Sequence, residues 1–310
     1  MSIFLHILLT NIMPMTIMIA IGITLERVFH LDIKTLSKLN FYLFSPAIIF
    51  TLLYETAIAA ELIGKVLLFF FIFMIVQYLV VEIVVRLRRY SPTMRSAMRN
   101  SVLFYNSANY GIPLNQLAFA GNKETLGIQV IIMMFQSLVP NTYGVYSVNS
   151  HRSNMKAVWK TIFGMPVIYV IPIAFLMRGF EIPIPDPIQT PINYISDAFI
   201  GTALLTLGVQ LGQMEWKISR SLAIDVSISG ILRLIGGPVL AWLVVTLLGI
   251  EGLTAAALIV SSAVPTSLSS VLLAVEFDNE KEFASQAVFV STLISIVTVT
   301  VVIFALNLQV

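Results

Sequence analysis

The sequence has no cysteine, three histidines and few charges of either sign. Each scarcity removes a class of function. Without cysteine there is no disulfide, no iron–sulfur cluster and no thiolate metal site. His6, His30 and His151 are scattered near the ends of apolar stretches and lack metal-ligand spacing. Charged residues make up 11% of the chain, less than half of the roughly 25% usual in a soluble domain. No GxxxxGK[ST] loop occurs, which argues against a nucleotide-driven pump. No HExxH motif, serine–histidine constellation or pair of intramembrane aspartates suggests an enzyme. No cofactor and no nucleic-acid partner are expected.

What is present is apolar. Hydrophobic residues are 58% of the chain, with a mean hydropathy of +0.92. A soluble domain of 310 residues has no interior large enough for that surface. Several stretches exceed the roughly 20 apolar residues that cross a bilayer. The expected fold class is an all-α polytopic membrane protein. The N-terminus, Met1-Ser2-Ile3-Phe4-Leu5-His6, carries no basic residue and reads as a first span rather than a signal peptide. Ten spans are expected, near 3–25, 36–54, 62–86, 93–120, 124–148, 158–177, 188–212, 217–248, 252–276 and 282–308.

Lysine and arginine set the orientation. Alternate connections hold 14 of the 18 basic residues, from Arg27, Lys34 and Lys38 through the Arg86–Arg99 group to Lys281. The opposite connections hold only Lys65, Lys123 and Arg178, and Arg233 falls inside the eighth span. The basic side is read as cytoplasmic, with both termini outside, in a bacterial inner membrane. Ten spans divide into five and five. An odd number per half makes the halves inverted relative to each other: residues 1–148, a cytoplasmic linker at 149–157, and residues 158–310.

Two stretches interrupt the apolar pattern. Tyr105-Asn106-Ser107-Ala108-Asn109-Tyr110-Gly111-Ile112-Pro113-Leu114 lies in the fourth span and Ser261-Ser262-Ala263-Val264-Pro265-Thr266-Ser267 in the ninth. Pro113 and Pro265 are 265 − 113 = 152 residues apart, as are Pro14 and Pro166 at 166 − 14 = 152. Proline removes a backbone donor and clashes with the preceding turn, and glycine eases non-helical backbone. In hydrocarbon an unpaired peptide group costs several kcal/mol, so a break survives only inside protein or against water. Two crossed, broken helices in inverted repeats are the outline of a secondary transporter. Each second half-helix, starting near Pro113 and Pro265, would present about half a positive charge to an anion. Carbonyls around Tyr110 and Ala263 are candidate ligands for sodium. The alternative is a pair of kinked but continuous helices. Candidate substrate-binding residues are therefore Asn106, Asn109, Gly111, Pro113, Ser262, Pro265, Thr266 and Ser267, with Asn141 from the polar fifth span. The tenth span carries Ser291, Ser295 and Thr298 on one helical face, which suits either a wall of the crossing or helix packing. Asp197 is the coupling candidate, because a carboxylate buried in a span holds a proton readily. A surface cap is its alternative role, and Arg233 either neutralises a substrate or pairs with a neighbouring helix.

The Asn106…Gly111-Ile112-Pro113-Leu114 pattern, and Ala263-Val264-Pro265 followed by Leu273-Ala274-Val275-Glu276-Phe277, resemble the crossover motifs of the auxin efflux carrier family. That family includes the plant PIN carriers and many bacterial permeases. The resemblance implies a fold like the bile-acid sodium symporters and sodium/proton antiporters, with a scaffold and a transport subdomain each drawn from both repeats. It implies organic-anion substrates, auxin-like or malate- and malonate-like, with Asn106 at the substrate carboxylate. It also implies a homodimer through the scaffold. Sodium, a proton or no coupling ion all stay open. A channel or a membrane sensor is the competing function; the rings of charge or filter sequence of a channel are not found.

Overall fold

A computed structural model of the chain describes residues 3–56, 58–148, 163–214, 216 and 220–308. The expected linker 149–157, with Arg152 and Lys156, lies outside the described residues. Helices α1 (Phe4–Phe29), α2 (Ile33–Glu55) and α3 (Ala60–Leu87) come first. Two short helices follow, α4 (Pro92–Leu103) and α5 (Gly111–Ala118), and then α6, residues 123–148. The second half holds α7 (Pro166–Gly179), α8 (Asp186–Gln213) and α9 (Ala223–Leu247). It ends with short α10 (Gly252–Ser262) and α11 (Ser269–Glu276), and α12 (Lys281–Ala305). Six of these, α1, α2, α3, α8, α9 and α12, are long and apolar enough to cross a membrane. The described residues contain no strand, only one isolated antiparallel bridge between Tyr105 and Thr266.

The outer surface suits lipid. On α3, Leu68, Phe71, Ile75, Leu79 and Ile83 are all more than half exposed and share one helical stripe, while Phe69, Phe70, Phe73 and Val81 point inward. Such a stripe would be costly in water and is neutral in hydrocarbon.

Prolines shape the long helices. Besides one at 140–144 that begins on Pro140, wider π-type turns occupy residues 8–12, 40–44 and 232–236. Each lies just before a proline: Pro14, Pro46 and Pro238. Proline cannot donate to the carbonyl four residues back and pushes against it, so the turn opens locally. Each opened turn carries a polar side chain that is buried: Asn11, Asn40 and Arg233.

Two groups of helices can be followed, packed on each other through shared apolar clusters, and they are called bodies below. Helix α8 runs along α1 and also packs on α2, and α7 packs on α2. The glycines permit that approach: a Cβ on Gly208 would lie 2.2 Å from the Ile19 carbonyl oxygen, and one on Gly22 2.4 Å from that of Leu205. The remaining helices form a second body, in which α3 meets α4, α6 and α9, α10 meets α9 and α6, and α12 meets α11 and the first part of α9.

The two halves match late in each half. α5 and α11 have eight residues each and start 269 − 111 = 158 residues apart, as α6 and α12 do at 281 − 123 = 158. Phe119 and Phe277 close α5 and α11 in the same way, each N–H reaching the carbonyls four and two residues back. Lys123-Glu124 corresponds to Lys281-Glu282. Pro14 and Pro166 keep the 152-residue spacing but differ in place: Pro14 follows the opened turn inside α1, and Pro166 is the first residue of α7. The spacing fails at the breaks, because about six additional residues lie between those points in the second half. Pro113 is the third residue of α5, whereas Pro265 sits in the unwound segment before α11. The second half-helices start at Gly111 and Ser269, not at the prolines.

Candidate functional site at the crossing of two unwound segments

Residues 104–110 and 263–268 are unwound, and they meet. The Asn106 N–H donates to the Pro265 carbonyl at 2.9 Å, and the Ser267 N–H to the Phe104 carbonyl at 2.8 Å. The kinked, continuous alternative is excluded at both places.

An interrupted helix releases four carbonyls at its end. All four of α4 are satisfied. Asn100 O accepts from the Phe104 N–H at 3.0 Å. Ser101 O accepts from Thr266 Oγ1 at 2.8 Å. Val102 O accepts from Arg233 Nη1 at 3.0 Å. Leu103 O accepts from Gln136 Nε2 at 3.2 Å. Within the unwound segment, Ser107 O accepts from Gln129 Nε2 at 2.8 Å. On the other side, Arg233 Nη2 also donates to Ser262 O. The expected cation ligands need correction here: the released carbonyls end at Leu103, and Tyr110 is the residue that precedes α5. The Tyr110 hydroxyl accepts from Ser295 Oγ at 3.0 Å. Ala263 does close α10, and it is fully buried.

The helix starts are also partly occupied. Asn106 Oδ1 accepts from the Asn109 N–H at 3.1 Å, and Ser267 Oγ from the Ser269 N–H at 3.2 Å. An anion would meet these caps and the dipoles behind them rather than bare peptide groups.

A cavity of about 380 Å³ lies against the crossing. Asn106, Ser107, Asn109, Gln136 and Ser267 line it from the six-helix body, and Lys38, Asn40 and Gln210 from the four-helix body. Asn106 is buried, and among the described residues its Nδ2 makes no hydrogen bond. A larger cavity of about 1190 Å³ shares Ser37, Lys38, Gln210, Leu268 and Leu272 with the first and reaches Lys34 and Lys281. That cavity is thus lined by three ammonium groups, of which Lys281 pairs with Asp278 at 2.6 Å, and by Glu282.

The candidates separate into two sets. Asn106, Asn109 and Ser267 line the cavity. Gly111, Pro113, Ser262, Pro265 and Thr266 build the crossing behind it: the Ser262 hydroxyl donates to Ile259 O at 2.6 Å, and the Thr266 N–H to Ser291 Oγ at 3.2 Å. The side chain of Asn141 lies outside the described residues. Asp197 is exposed on α8 and does not line the cavity, so the burial that its coupling role required is absent. Sequence reasoning missed Lys38, Asn40, Gln129 and Gln210. Lys38 carried only the orientation argument, and Asn40 had a signal in Pro46 that was not used.

A family model described as "Membrane transport protein" matches residues 7–303. The chain belongs to this family, the auxin efflux carriers. It is 23% identical over 169 residues to an uncharacterized transporter of Methanocaldococcus jannaschii, a match covering 54% of this chain and 53% of that one. It is 26% identical over 109 residues to an uncharacterized transporter of Methanothermobacter thermautotrophicus, covering 35% of each. The chain thus spans about half the length of the first curated relative and about a third of the second. Membership of a membrane-transport family and the six long apolar helices make this chain an integral membrane protein.

Proposed function

We propose that this carrier moves small organic anions, auxin-like or malate- and malonate-like carboxylates, by alternating access. One observation carries the reading: Asn106, whose Oδ1 is bonded while its Nδ2 is not, lines a cavity that sits between two helix starts and is approached past Lys34, Lys38 and Lys281. An N–H donor beside two positive dipole ends suits a carboxylate, and the lysines raise its local concentration. The chain is read as ten spans in two inverted five-helix repeats, supported by the matched lengths of α5 with α11 and α6 with α12. The four-helix body of α1, α2, α7 and α8 serves as scaffold and as the surface of a homodimer, and the six-helix body moves. On the face opposite the lysines, the bodies are joined by the Lys123–Glu55 ion pair at 2.8 Å. The cavity therefore opens to the basic side, which is cytoplasmic in a cell membrane with both termini outside. The coupling ion is a proton, sodium or none.

Flux into proteoliposomes tests this. Labelled malonate, malate and indole-3-acetate are offered with and without sodium and with and without a pH gradient. Saturable uptake with counterflow of at least one acid is expected, and Asn106→Ala is expected to lower it roughly ten- to a hundredfold, the scale of one charge-assisted hydrogen bond. Unsaturated conductance, or unchanged kinetics in that variant, refutes the reading.

A further inference from the structure

Arg233 is the largest fully buried side chain of the described residues. It sits in the opened turn before Pro238 on α9. None of the ion pairs among the described residues includes it. Its guanidinium instead donates to Val102 O at the end of α4 and to Ser262 O at the end of α10, so it touches both broken helices at their negative ends. Its Cζ lies 4.6 Å from the centre of the Tyr105 ring, and Tyr105 lines the 380 Å³ cavity whereas Arg233 does not. Room has been made for it: a Cβ on Gly237 would lie 2.8 Å from Arg233 Nη2 and 2.7 Å from Ser262 O. A buried charge without a carboxylate partner is expensive, and two helix ends with a ring face repay part of that.

The geometry points to Arg233 as the permanent cation of the crossing. It takes the position between two helix C-termini where a mobile cation would otherwise have to bind. It also supplies, through one layer of side chain, the positive charge that balances an anion beside Asn106. Arg233 is a positioning residue, since Tyr105 separates it from the cavity. The balancing role rests on the anion-carrier reading above; the capping role does not.

The test separates the two. Purified Arg233→Ala is melted in detergent with millimolar guanidinium, methylguanidinium or sodium chloride, beside the wild type. Saturable stabilisation by guanidinium, absent in the wild type and not matched by sodium chloride, is expected. Uptake of whichever of malonate, malate or indole-3-acetate the wild type carries is then measured for Arg233→Lys and Arg233→Met. Arg233→Met is expected to lose roughly tenfold or more and Arg233→Lys to keep a measurable part. Should the alanine variant not fold in any of these salts, the lysine and methionine pair decides. Equal uptake in Arg233→Met and the wild type, equal losses in Arg233→Lys and Arg233→Met, or a folded alanine variant indifferent to guanidinium overturns the assignment. A wild type that carries none of the three acids counts against the anion-carrier reading, while the melting experiment still decides the capping role.

Discussion

Gly111→Ala isolates one contact of the crossing. Gly111 does not belong to the glycines with positive φ, so the backbone would accept alanine. The obstacle is space: a Cβ there would lie 2.4 Å from Gln129 Nε2 and 3.2 Å from its Cδ. Gln129 is buried, and its amide donates to Ser107 O at 2.8 Å, in the middle of the unwound segment. The amide must swing away and that bond is lost. Losing the bond and stranding its buried partners costs about 2–4 kcal/mol, and the better helix former returns about 0.5–1 kcal/mol. The expected net loss is therefore about 1–3 kcal/mol, a drop of several degrees in the melting temperature of the purified protein. The mechanism is checked with a cycle. Gln129→Ala removes the atom that clashes, so Gly111→Ala added to it should be nearly silent, giving a coupling of about 1–3 kcal/mol, the whole of the single loss. A Gly111→Ala protein as stable as wild type, or two losses that simply add, refutes the steric argument.

Other substitutions probe other parts. Gly208→Ala drives a methyl into the Ile19 carbonyl, which is backbone and cannot swing aside; a loss of about 1–3 kcal/mol or more is expected by melting, because α1 and α8 must part. Thr266→Val removes the hydroxyl that closes Ser101 O; about 1–3 kcal/mol of stability should go, with little change in substrate affinity because Thr266 does not line the cavity. Lys38→Gln should slow uptake roughly two- to fourfold at low ionic strength and much less at high salt, as expected for a screened charge on the approach path; a salt-independent loss would indicate direct contact instead. Asp197→Asn should leave the pH dependence of uptake unchanged, given its exposure; a shifted profile would restore it as a coupling group.

What could be read from the chain and what could not follow from the range of each interaction. The breaks themselves were legible, because Asn106, Asn109, Gly111 and Pro113 crowd into one span and Ser261, Ser262, Pro265 and Thr266 into another. Their meeting was an expectation from resemblance and repeat, and it is realised by the Tyr105–Thr266 bridge. Their partners were not legible: Arg233 lies 131 residues from Val102 in the chain, and Gln129 22 residues from Ser107. The exposure of Asp197, where burial was expected, has a different reason. α8 carries polar residues on several sides, Asn193, Ser196, Asp197, Thr202, Thr206 and Gln210 among them, so periodicity does not say which side faces protein and which faces out. The equal spacing of prolines misled at the breaks because the extra residues in the second half change the register before α11.

The carbonyl accounting bears on which parts move together. The end of α4 is closed by Thr266 from the opposite unwound segment, by Arg233 from α9 and by Gln136 from α6. Arg233 ties the same site to the end of α10. Separating any of these helices would leave buried carbonyls open, at about 1–3 kcal/mol for each. The seam between the two bodies is mostly apolar packing, in clusters that join Ile12 and Leu207 to Tyr110 and Ile303, and Ile49 and Leu53 to Ile112 and Val130. It has the Lys123–Glu55 pair, whose side chains are 60% and 36% exposed, a class of contact worth about 0–1 kcal/mol. It also has Gly127, on α6, whose missing side chain leaves room for Ile58, 2.5 Å from where a Cβ would stand. Apolar packing can slide without leaving a buried polar group open, whereas the crossing cannot part without opening its carbonyls, and that difference favours sliding at the seam over opening of the crossing. A carrier built this way would take its binding site along with the six-helix body, Arg233 included.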